Sequence, residues 1–86
     1  MSDAVANLPS LGPVTAKRLA DVGITTPEQL RKVGAVAAYK MLKFRFGRDV
    51  TLNALYGLEA AVRNIDWRLI DDAEKARLRR EADVDR

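Results

Sequence analysis

The 86-residue chain contains no cysteine and no histidine. These two absences exclude disulfide bridges, thiolate zinc sites, cysteine nucleophiles and catalysis by an imidazole base. The sequence contains neither a nucleophile elbow nor a phosphate-binding loop. The adjacent carboxylates Asp71 and Asp72 have no accompanying ligand set, so helix capping explains them better than acid–base chemistry. We therefore expect a protein that is not an enzyme and has neither a metal site nor a cofactor.

Long apolar runs are also missing, since no segment approaches the ~20 apolar residues that a membrane span requires. The first residues, MSDAVAN, lack the basic and apolar regions of a secretory signal. Only five glycines and three prolines interrupt the chain, and 48% of its residues are apolar. We therefore expect a cytoplasmic protein without a membrane partner. It should fold as one domain over residues 1–86, with frayed ends at 1–7 and 81–86.

Strand patterns are scarce, because no segment alternates β-branched or aromatic residues with polar ones over several positions. Helix start signals are frequent instead. Thr26 with Gln29 has the spacing of a capping box, and Asp71 with Glu74 repeats that spacing near the C-terminus. The predicted helices cover residues 13–22, 27–33, 35–46 and 52–63, with a tail helix after Asp71 and a short leading helix within 1–7. The predicted fold class is all-α, a small bundle of about five helices.

Helix stop signals follow each of the predicted segments. Gly23, Gly34 and Gly47 suit the ends of the first three helices, because glycine adopts left-handed backbone conformations without strain. Thr51 is a suitable N-cap for the fourth helix, and Asn64 is a plausible left-handed stop. These signals mark the C-terminal ends of the four predicted helices between residues 13 and 63.

Opposite charges lie four residues apart at several places, among them Glu59 and Arg63, Asp71 and Lys75, and Arg77 and Glu81. On a helix this spacing brings the two side chains together, so we expect an ion pair at each of these three. For Glu59 an alternative stays open, in which it is buried and pairs with an arginine of another helix. Either arrangement makes Glu59 structural.

The formal net charge is +3, and it is distributed unevenly along the chain. No acidic residue lies between Glu28 and Asp49. This acid-free stretch holds six bases: Arg31, Lys32, Lys40, Lys43, Arg45 and Arg48. From Asp71 onward, six acids balance five bases. Unbalanced cations attract phosphates through a salt-sensitive, sequence-independent term, so the acid-free stretch predicts weak, backbone-directed binding of DNA.

The stretch LPSLGPVTA at residues 8–16 is a second candidate site. A helix that begins at Pro13 exposes backbone N–H groups without intrahelical partners, and small residues beside it let a phosphate approach. The stretch is alternatively a turn that only docks two helices, and this is the simpler interpretation. If both candidate sites bind nucleic acid, the binding residues are Ser10, Gly12, Lys17, Arg18, Lys40, Lys43, Arg45 and Arg48.

Aromatic residues alternate with cations at Tyr39, Phe44 and Phe46, a composition that can serve base stacking along single strands. We favour a role in the core, because Tyr39 and Phe46 lie near one another on the predicted helix and cations surround them. Trp67 follows a capping Asp66. We expect Trp67 to seal the bundle between the fourth and the last helix.

Several short blocks of sequence occur in a fixed order, and the set of blocks together is more specific than any one of them. They read LGP, LADVGI, TPEQLRKVGAVAAYKMLK, LNALYGLEAAVR and DWR, and they span roughly residues 8 to 80. This order resembles the C-terminal domain of the TfoX family, also called Sxy, whose members regulate natural competence in bacteria. The resemblance implies a small helical domain similar to helix-hairpin-helix and SAM domains, without a catalytic site. Two positions depart from the helix-hairpin-helix pattern, since Ser10 stands for its glycine and Val14 for its basic residue.

The resemblance also implies DNA-dependent regulation beside the cyclic-AMP receptor protein or RNA polymerase. Our first hypothesis is therefore a DNA-associated regulatory module for transcription or competence. The alternative is a protein-interaction adaptor that binds a transcription factor, a polymerase subunit or a second copy of itself as a homodimer. Members of the family commonly carry an N-terminal domain ahead of this one. We expect this chain to be a free-standing version of the domain or part of a longer protein.

Overall fold

A computed structural model of the chain describes residues 11–83. Five α-helices occupy these residues: α1 (Pro13–Asp21), α2 (Pro27–Val33), α3 (Ala35–Phe46), α4 (Leu52–Arg63) and α5 (Asp72–Glu81). Two short 3-10 turns, Gly47–Asp49 and Trp67–Leu69, precede α4 and α5. The described residues contain no β-strand, so the predicted all-α class is confirmed. The leading helix predicted within 1–7 lies outside the described residues, as do residues 84–86.

Local capping chemistry sets the limits of the helices, as predicted. At the start of α2, the Thr26 hydroxyl accepts from the Gln29 N–H at 3.1 Å, and the Gln29 side chain accepts from the Thr26 N–H at 3.2 Å. At the start of α5, the Asp71 carboxylate accepts from the Glu74 N–H at 2.8 Å. Asn64 ends α4 in the left-handed conformation, with φ 58°. Each such side-chain cap contributes about 1 kcal/mol, which is why these signals could be recognised in the sequence.

Gly34 forms the corner between α2 and α3. Its backbone has φ 91° and ψ 155°, a region that is essentially restricted to glycine. The Gly34 N–H donates to the Leu30 carbonyl at 2.8 Å, and the Gly34 carbonyl accepts from the Ala38 N–H at 3.0 Å. One residue therefore ends α2 and begins α3 without an intervening loop.

The core is built around α4, which contacts α2, α3 and α5. Half of this helix is buried: Leu55, Tyr56, Gly57, Leu58, Ala60 and Ala61. The other helices each contribute a leucine that is at most 1% exposed: Leu19 of α1, Leu30 of α2, Leu42 of α3 and Leu78 of α5. Burying one such side chain stabilises the fold by about 1.5–3 kcal/mol. The five helices thus share a single apolar core in which α4 is central.

Two aromatic residues lie outside the core, and for both of them the prediction is wrong. Phe44 is 95% exposed, because it stands about 140° around the α3 axis from Tyr39, which is 2% exposed. Trp67 is 49% exposed in the second 3-10 turn, where Ile70, three residues further on, is buried instead. Phe46 is partly buried against the core, in agreement with the prediction.

Glu59 joins α4 to α5 through arginine side chains. Its Oε2 accepts from Arg63 Nε at 2.7 Å, which confirms the predicted pair, and also contacts Arg77 Nη2 at 3.4 Å. Arg63 Nη1 in turn donates to Glu74 at 2.6 Å. The hydrogen bond to Glu74, followed by that to Glu59, raises the pKa of Arg63. Glu59 therefore pairs both within α4 and with an arginine of another helix, but it is only partly buried, so the alternative of a buried Glu59 holds in its pairing and not in its burial.

The two pairs predicted within α5 differ in outcome. Arg77 Nη1 lies 3.0 Å from Glu81 Oε2, which confirms that pair. The pair between Asp71 and Lys75 is wrong, because the Asp71 carboxylate caps the helix. The Lys75 ammonium lies 5.3 Å from the centroid of the Tyr56 ring, on the side of α4.

Candidate nucleic-acid interface

Ion pairs divide the described residues into two halves. The cationic half, residues 11–50, contains eight lysines and arginines and three carboxylates. All five ion pairs of the described residues lie in the paired half, residues 51–83. Every cation of residues 11–50 is therefore free of a carboxylate partner within 4.0 Å. The excess positive charge of the molecule falls on one half of its described chain.

Arg18 and Arg45 bring α1 and the end of α3 together at the ring of Phe46. Their guanidinium carbons lie 5.2 Å and 5.8 Å from the ring centroid, distances at which a cation is attracted to an aromatic face. Arg18 Nη1 also donates to the carbonyl of Asp49 at 2.9 Å. Two candidate residues from different helices therefore lie near the same ring.

Gly12 is the N-cap of α1 and has an ordinary extended backbone, with φ −77° and ψ 167°. It lines a shallow cavity of about 280 Å³ together with Arg18 and with Thr51 and Asn53 at the start of α4. Two positive helix ends, the Arg18 guanidinium and the acidic residue Asp49 thus border one space. A Cβ on Gly12 would meet no atom within 4 Å, so the space beside it is open. Ser10 lies outside the described residues, so its role and phosphate binding by this turn stay predictions.

Lys43 has a local role that the sequence did not indicate. Its ammonium donates to the carbonyl of Gly47 at 3.3 Å and to that of Val50 at 3.0 Å. These carbonyls follow the end of α3, where a cation is favourable because the C-terminal end of a helix is negative. Lys43 is therefore held against the backbone and is less available to a ligand than the other candidates.

The remaining candidates, Lys17, Lys40, Arg45 and Arg48, are exposed. Lys40 borders a second depression, which Glu59 and Glu81 of the paired half also line. Arg18 therefore lies at both the Phe46 ring and the shallow cavity, whereas Gly12 borders only the cavity and Arg45 contacts only the ring. Lys40 borders a different depression.

Sequence reasoning passed over two further cations, Arg31 and Lys32, which are exposed in the last turn of α2. Both belong to the acid-free stretch, so the signal was present, but neither was included among the candidate site residues. Phe44 was assigned to the core although its position on α3, opposite Tyr39, favours the surface. Helical spacing places Phe44 and Tyr39 on different sides of α3 but does not determine which side faces the core.

Three further observations concern metal ligands, membrane spans and perturbed carboxyls in the described residues. Within residues 11–83, no group of three or more acidic side chains is placed to hold a metal ion. None of the helices in this part of the chain has the length and apolar character to cross a membrane. The perturbed carboxyl is Asp66, whose pKa falls to about 2 because it accepts hydrogen bonds from the Arg68 side chain and N–H. That pair is exposed and confined to one turn.

Comparison with known protein families agrees with the geometry of a small helical module. A model of the TfoX C-terminal domain matches residues 1–82. The chain belongs to the TfoX C-terminal domain family. This assignment confirms the resemblance seen in the sequence. No curated protein matches the chain.

Two solved structures are similar to this TfoX C-terminal domain. A crystal structure of an uncharacterized protein from Listeria monocytogenes, in a triclinic form, has 34% sequence identity and a TM-score of 0.82. That alignment covers 88% of this chain and 85% of the other. A protein of unknown function from Listeria monocytogenes, in a tetragonal form, has 32% identity and a TM-score of 0.83, covering 94% and 99% of the two chains. The fold is therefore shared with these proteins over nearly its full extent.

Proposed function

We propose that this TfoX C-terminal domain is a non-enzymatic module that associates with DNA through its cationic half. Binding is directed at the phosphate backbone and is weak and independent of sequence, because exposed lysines and arginines act as point charges on phosphates. The observation that carries the proposal is the separation of charges: all five ion pairs lie in residues 51–83, which leaves the cations of residues 11–50 unpaired.

Membership of the TfoX family supports a regulatory use of such binding. The family resemblance implies control of transcription or of natural competence in the cytoplasm, beside a transcription factor or RNA polymerase. A domain that contacts only the phosphate backbone contributes affinity for DNA, and a partner protein that contacts the bases determines which promoter is bound. We therefore propose a regulatory module and not a self-sufficient sequence-specific repressor or activator.

A second candidate function is that of a protein-interaction adaptor. The observation that favours it is the second 3-10 turn, where Trp67 is 49% and Leu69 is 67% exposed. Exposed aromatic and aliphatic side chains in one turn are suited to contacts with a transcription factor, a polymerase subunit or a second copy of the chain. This turn lies in the paired half, so the two functions use different residues and can be tested separately.

The decisive experiment is a titration with duplex DNA at ~50 and ~200 mM salt. A handful of phosphate contacts should lower the affinity by about ten- to a hundredfold between the two conditions. The double variant Arg45→Gln, Arg48→Gln should reduce the slope of log K against log salt by about 2. Arg80→Gln is the matched control, because Arg80 is exposed in the paired half and should leave the slope nearly unchanged. Absence of binding at the lower salt would refute the DNA function.

The adaptor is tested with the variant Trp67→Ala, Leu69→Ala in sedimentation and in binding to the purified cyclic-AMP receptor protein or RNA polymerase. Loss of self-association or of partner binding in this variant, with duplex binding intact, would support the adaptor. A monomer that binds neither protein would exclude it.

A further inference from the structure

Phe44 is the most exposed large apolar side chain among residues 11–83, at 95%. We propose that its ring is a stacking platform for an unpaired base of single-stranded nucleic acid, whose phosphates are held by the cations around it. The proposal rests on the proposed function in that both use the cationic half. It goes beyond that function by assigning a base-contacting residue and the strandedness of the ligand.

The fold does not use the Phe44 ring. A phenylalanine buried in the core would stabilise the protein by about 1.5–3 kcal/mol, but a ring that is 95% exposed contributes almost none of this. Both faces of the ring are open to solvent, and no cation of the described residues is placed over it. By contrast, Phe46 two residues later packs against the core and attracts Arg18 and Arg45.

Cations lie on both sides of Phe44 along the chain. Lys40 precedes it by four residues on α3, a spacing that places the two side chains on one face of the helix, about 5–6 Å apart at Cβ. Arg45 is the next residue, with its guanidinium at the neighbouring Phe46 ring, and Arg48 lies in the 3-10 turn that follows. All three are exposed and form no ion pair. An aromatic ring between unpaired cations is the arrangement that binds single strands, in which bases stack and phosphates contact the charges.

The surroundings of the ring favour nucleic acid over a protein partner. A stable protein interface buries about 1,600 Å² in total, and its centre is depleted of charge. Here the apolar neighbour of Phe44 on the same side of α3 is Met41, which is only 36% exposed, and the other neighbours carry positive charge. No carboxylate lies between Glu28 and Asp49 in the chain, and the two that share a depression with Lys40, Glu59 and Glu81, belong to α4 and α5. One flat ring in a cationic setting is complementary to a polyanion with flat bases.

A stacking role for Phe44 predicts a preference for single-stranded over double-stranded nucleic acid, because the ring must reach the face of a base. In a duplex each base is stacked between its neighbours, so a side-chain ring can stack only on a base that has left the helix. Phe44 should therefore add affinity for single strands and none for duplex DNA, whereas the cations act on both. Stacking on one aromatic side chain is typically worth a factor of roughly fivefold to a hundredfold in affinity.

The test measures binding of three fluorescent probes by anisotropy: a short oligothymidylate, an abasic oligonucleotide of the same length, and a duplex. Phe44→Ala removes the ring, and Phe44→Trp replaces it with a larger one. Leu69→Ala is the matched control, since Leu69 is 67% exposed in the paired half. None of these changes touches the core, so each variant should fold, and circular dichroism checks this.

We expect Phe44→Ala to weaken binding of the oligothymidylate about fivefold or more and to leave the abasic probe and the duplex unchanged. Phe44→Trp should retain or improve the affinity for oligothymidylate, and Leu69→Ala should behave as the unaltered protein. In a Trp67→Phe background, the new tryptophan at position 44 should lose fluorescence when the oligothymidylate binds, because it stacks on thymine.

Other outcomes would overturn the proposal in distinguishable ways. Equal losses on the abasic and thymidine probes would mean that Phe44 acts on fold or charge and not on bases. Duplex binding with no added affinity for the single strand would refute stacking but leave the proposed function intact. Failure to bind any probe at low salt would refute both. A concentration-dependent dimer that Phe44→Ala abolishes would identify a second copy of the chain as the occupant of this face.

Discussion

Arg18 of α1 and Asp49, 31 residues later in the chain, are joined by a 2.9 Å hydrogen bond from the Arg18 guanidinium to the Asp49 carbonyl. The same guanidinium lies 5.2 Å from the centroid of the Phe46 ring. One side chain thus fixes the first helix to the turn between α3 and α4. This contact also keeps a cation at the border of the shallow cavity beside Gly12.

We expect Arg18→Ala to lower the free energy of unfolding by about 1–2 kcal/mol, since it removes a hydrogen bond and a cation–π contact. The free energy of unfolding of Arg18→Lys should lie between those of the unaltered protein and of Arg18→Ala, because an ammonium cannot stack on a ring as the planar guanidinium does. Lys17→Ala is the control: Lys17 is exposed and unpaired, so its loss should change stability by less than about 0.5 kcal/mol. Urea unfolding measures all three. Equal stability of the two alanine variants would show that the Arg18 contact does not contribute.

Glu59→Gln should destabilise the protein by about 1 kcal/mol. The Glu59 side chain is 13% exposed and receives Arg63 and Arg77, but both arginines are more than 30% exposed, which limits the cost through solvation. Glu81→Gln breaks a pair whose carboxylate is 50% exposed and should cost less than about 0.5 kcal/mol. A double-mutant cycle of Glu59→Gln with Arg77→Gln isolates the link between α4 and α5. A coupling energy of zero would argue against that link.

Gly34→Ala should destabilise the protein by about 1–3 kcal/mol, although the space for a Cβ is empty. The cause is the backbone, since φ 91° with ψ 155° is strained for any residue that has a Cβ. Gly12→Ser is the matched change at a helix start with φ −77°, and serine is at least as good an N-cap there, so stability should hold or rise slightly. Thermal unfolding compares the two variants. If Gly34→Ala were as stable as Gly12→Ser, the described corner between α2 and α3 would be wrong.

Asp66 should stay ionised in acid well below the ordinary carboxyl pKa of 3.8, because hydrogen bonds from Arg68 lower its pKa to about 2. A lowered folded-state pKa means that this interaction stabilises the second 3-10 turn above pH 3.8 and is lost as the pH falls through about 2. Carboxyl carbon shifts in an NMR titration report the midpoint directly. Arg68→Gln should return the midpoint toward 3.8. An Asp66 midpoint near 3.8 in the unaltered protein would show that the turn is open in solution.

The helix limits could be predicted because they depend on chemistry within four residues. Residues that lie close together in the sequence form each of these features: the capping box of Thr26 and Gln29, the Asp71 cap and the left-handed Asn64. Phe44 was misplaced for a different reason: α3 carries apolar residues on several sides, and only its packing on α4 determines which side is inside. Trp67 was misplaced because Ile70, three residues later, is the residue of this segment that is buried in the core.

The candidate site was only partly predictable. The excess of cations in residues 29–48 can be counted in the sequence. What could not be foreseen are contacts between distant residues, such as Arg18 with Asp49 or Arg63 with Glu74. These contacts decide which cations are held by the protein itself and which are free for a ligand. Lys43 illustrates the difference, since its charge was counted but its two carbonyl partners were not expected.

The separation of paired and unpaired charges also affects how the molecule meets other molecules. A net positive charge carried by exposed, unpaired cations attracts a polyanion while the two molecules are still diffusing toward each other. At low ionic strength this attraction should speed association, and added salt should slow it, even for a final complex that is short-lived.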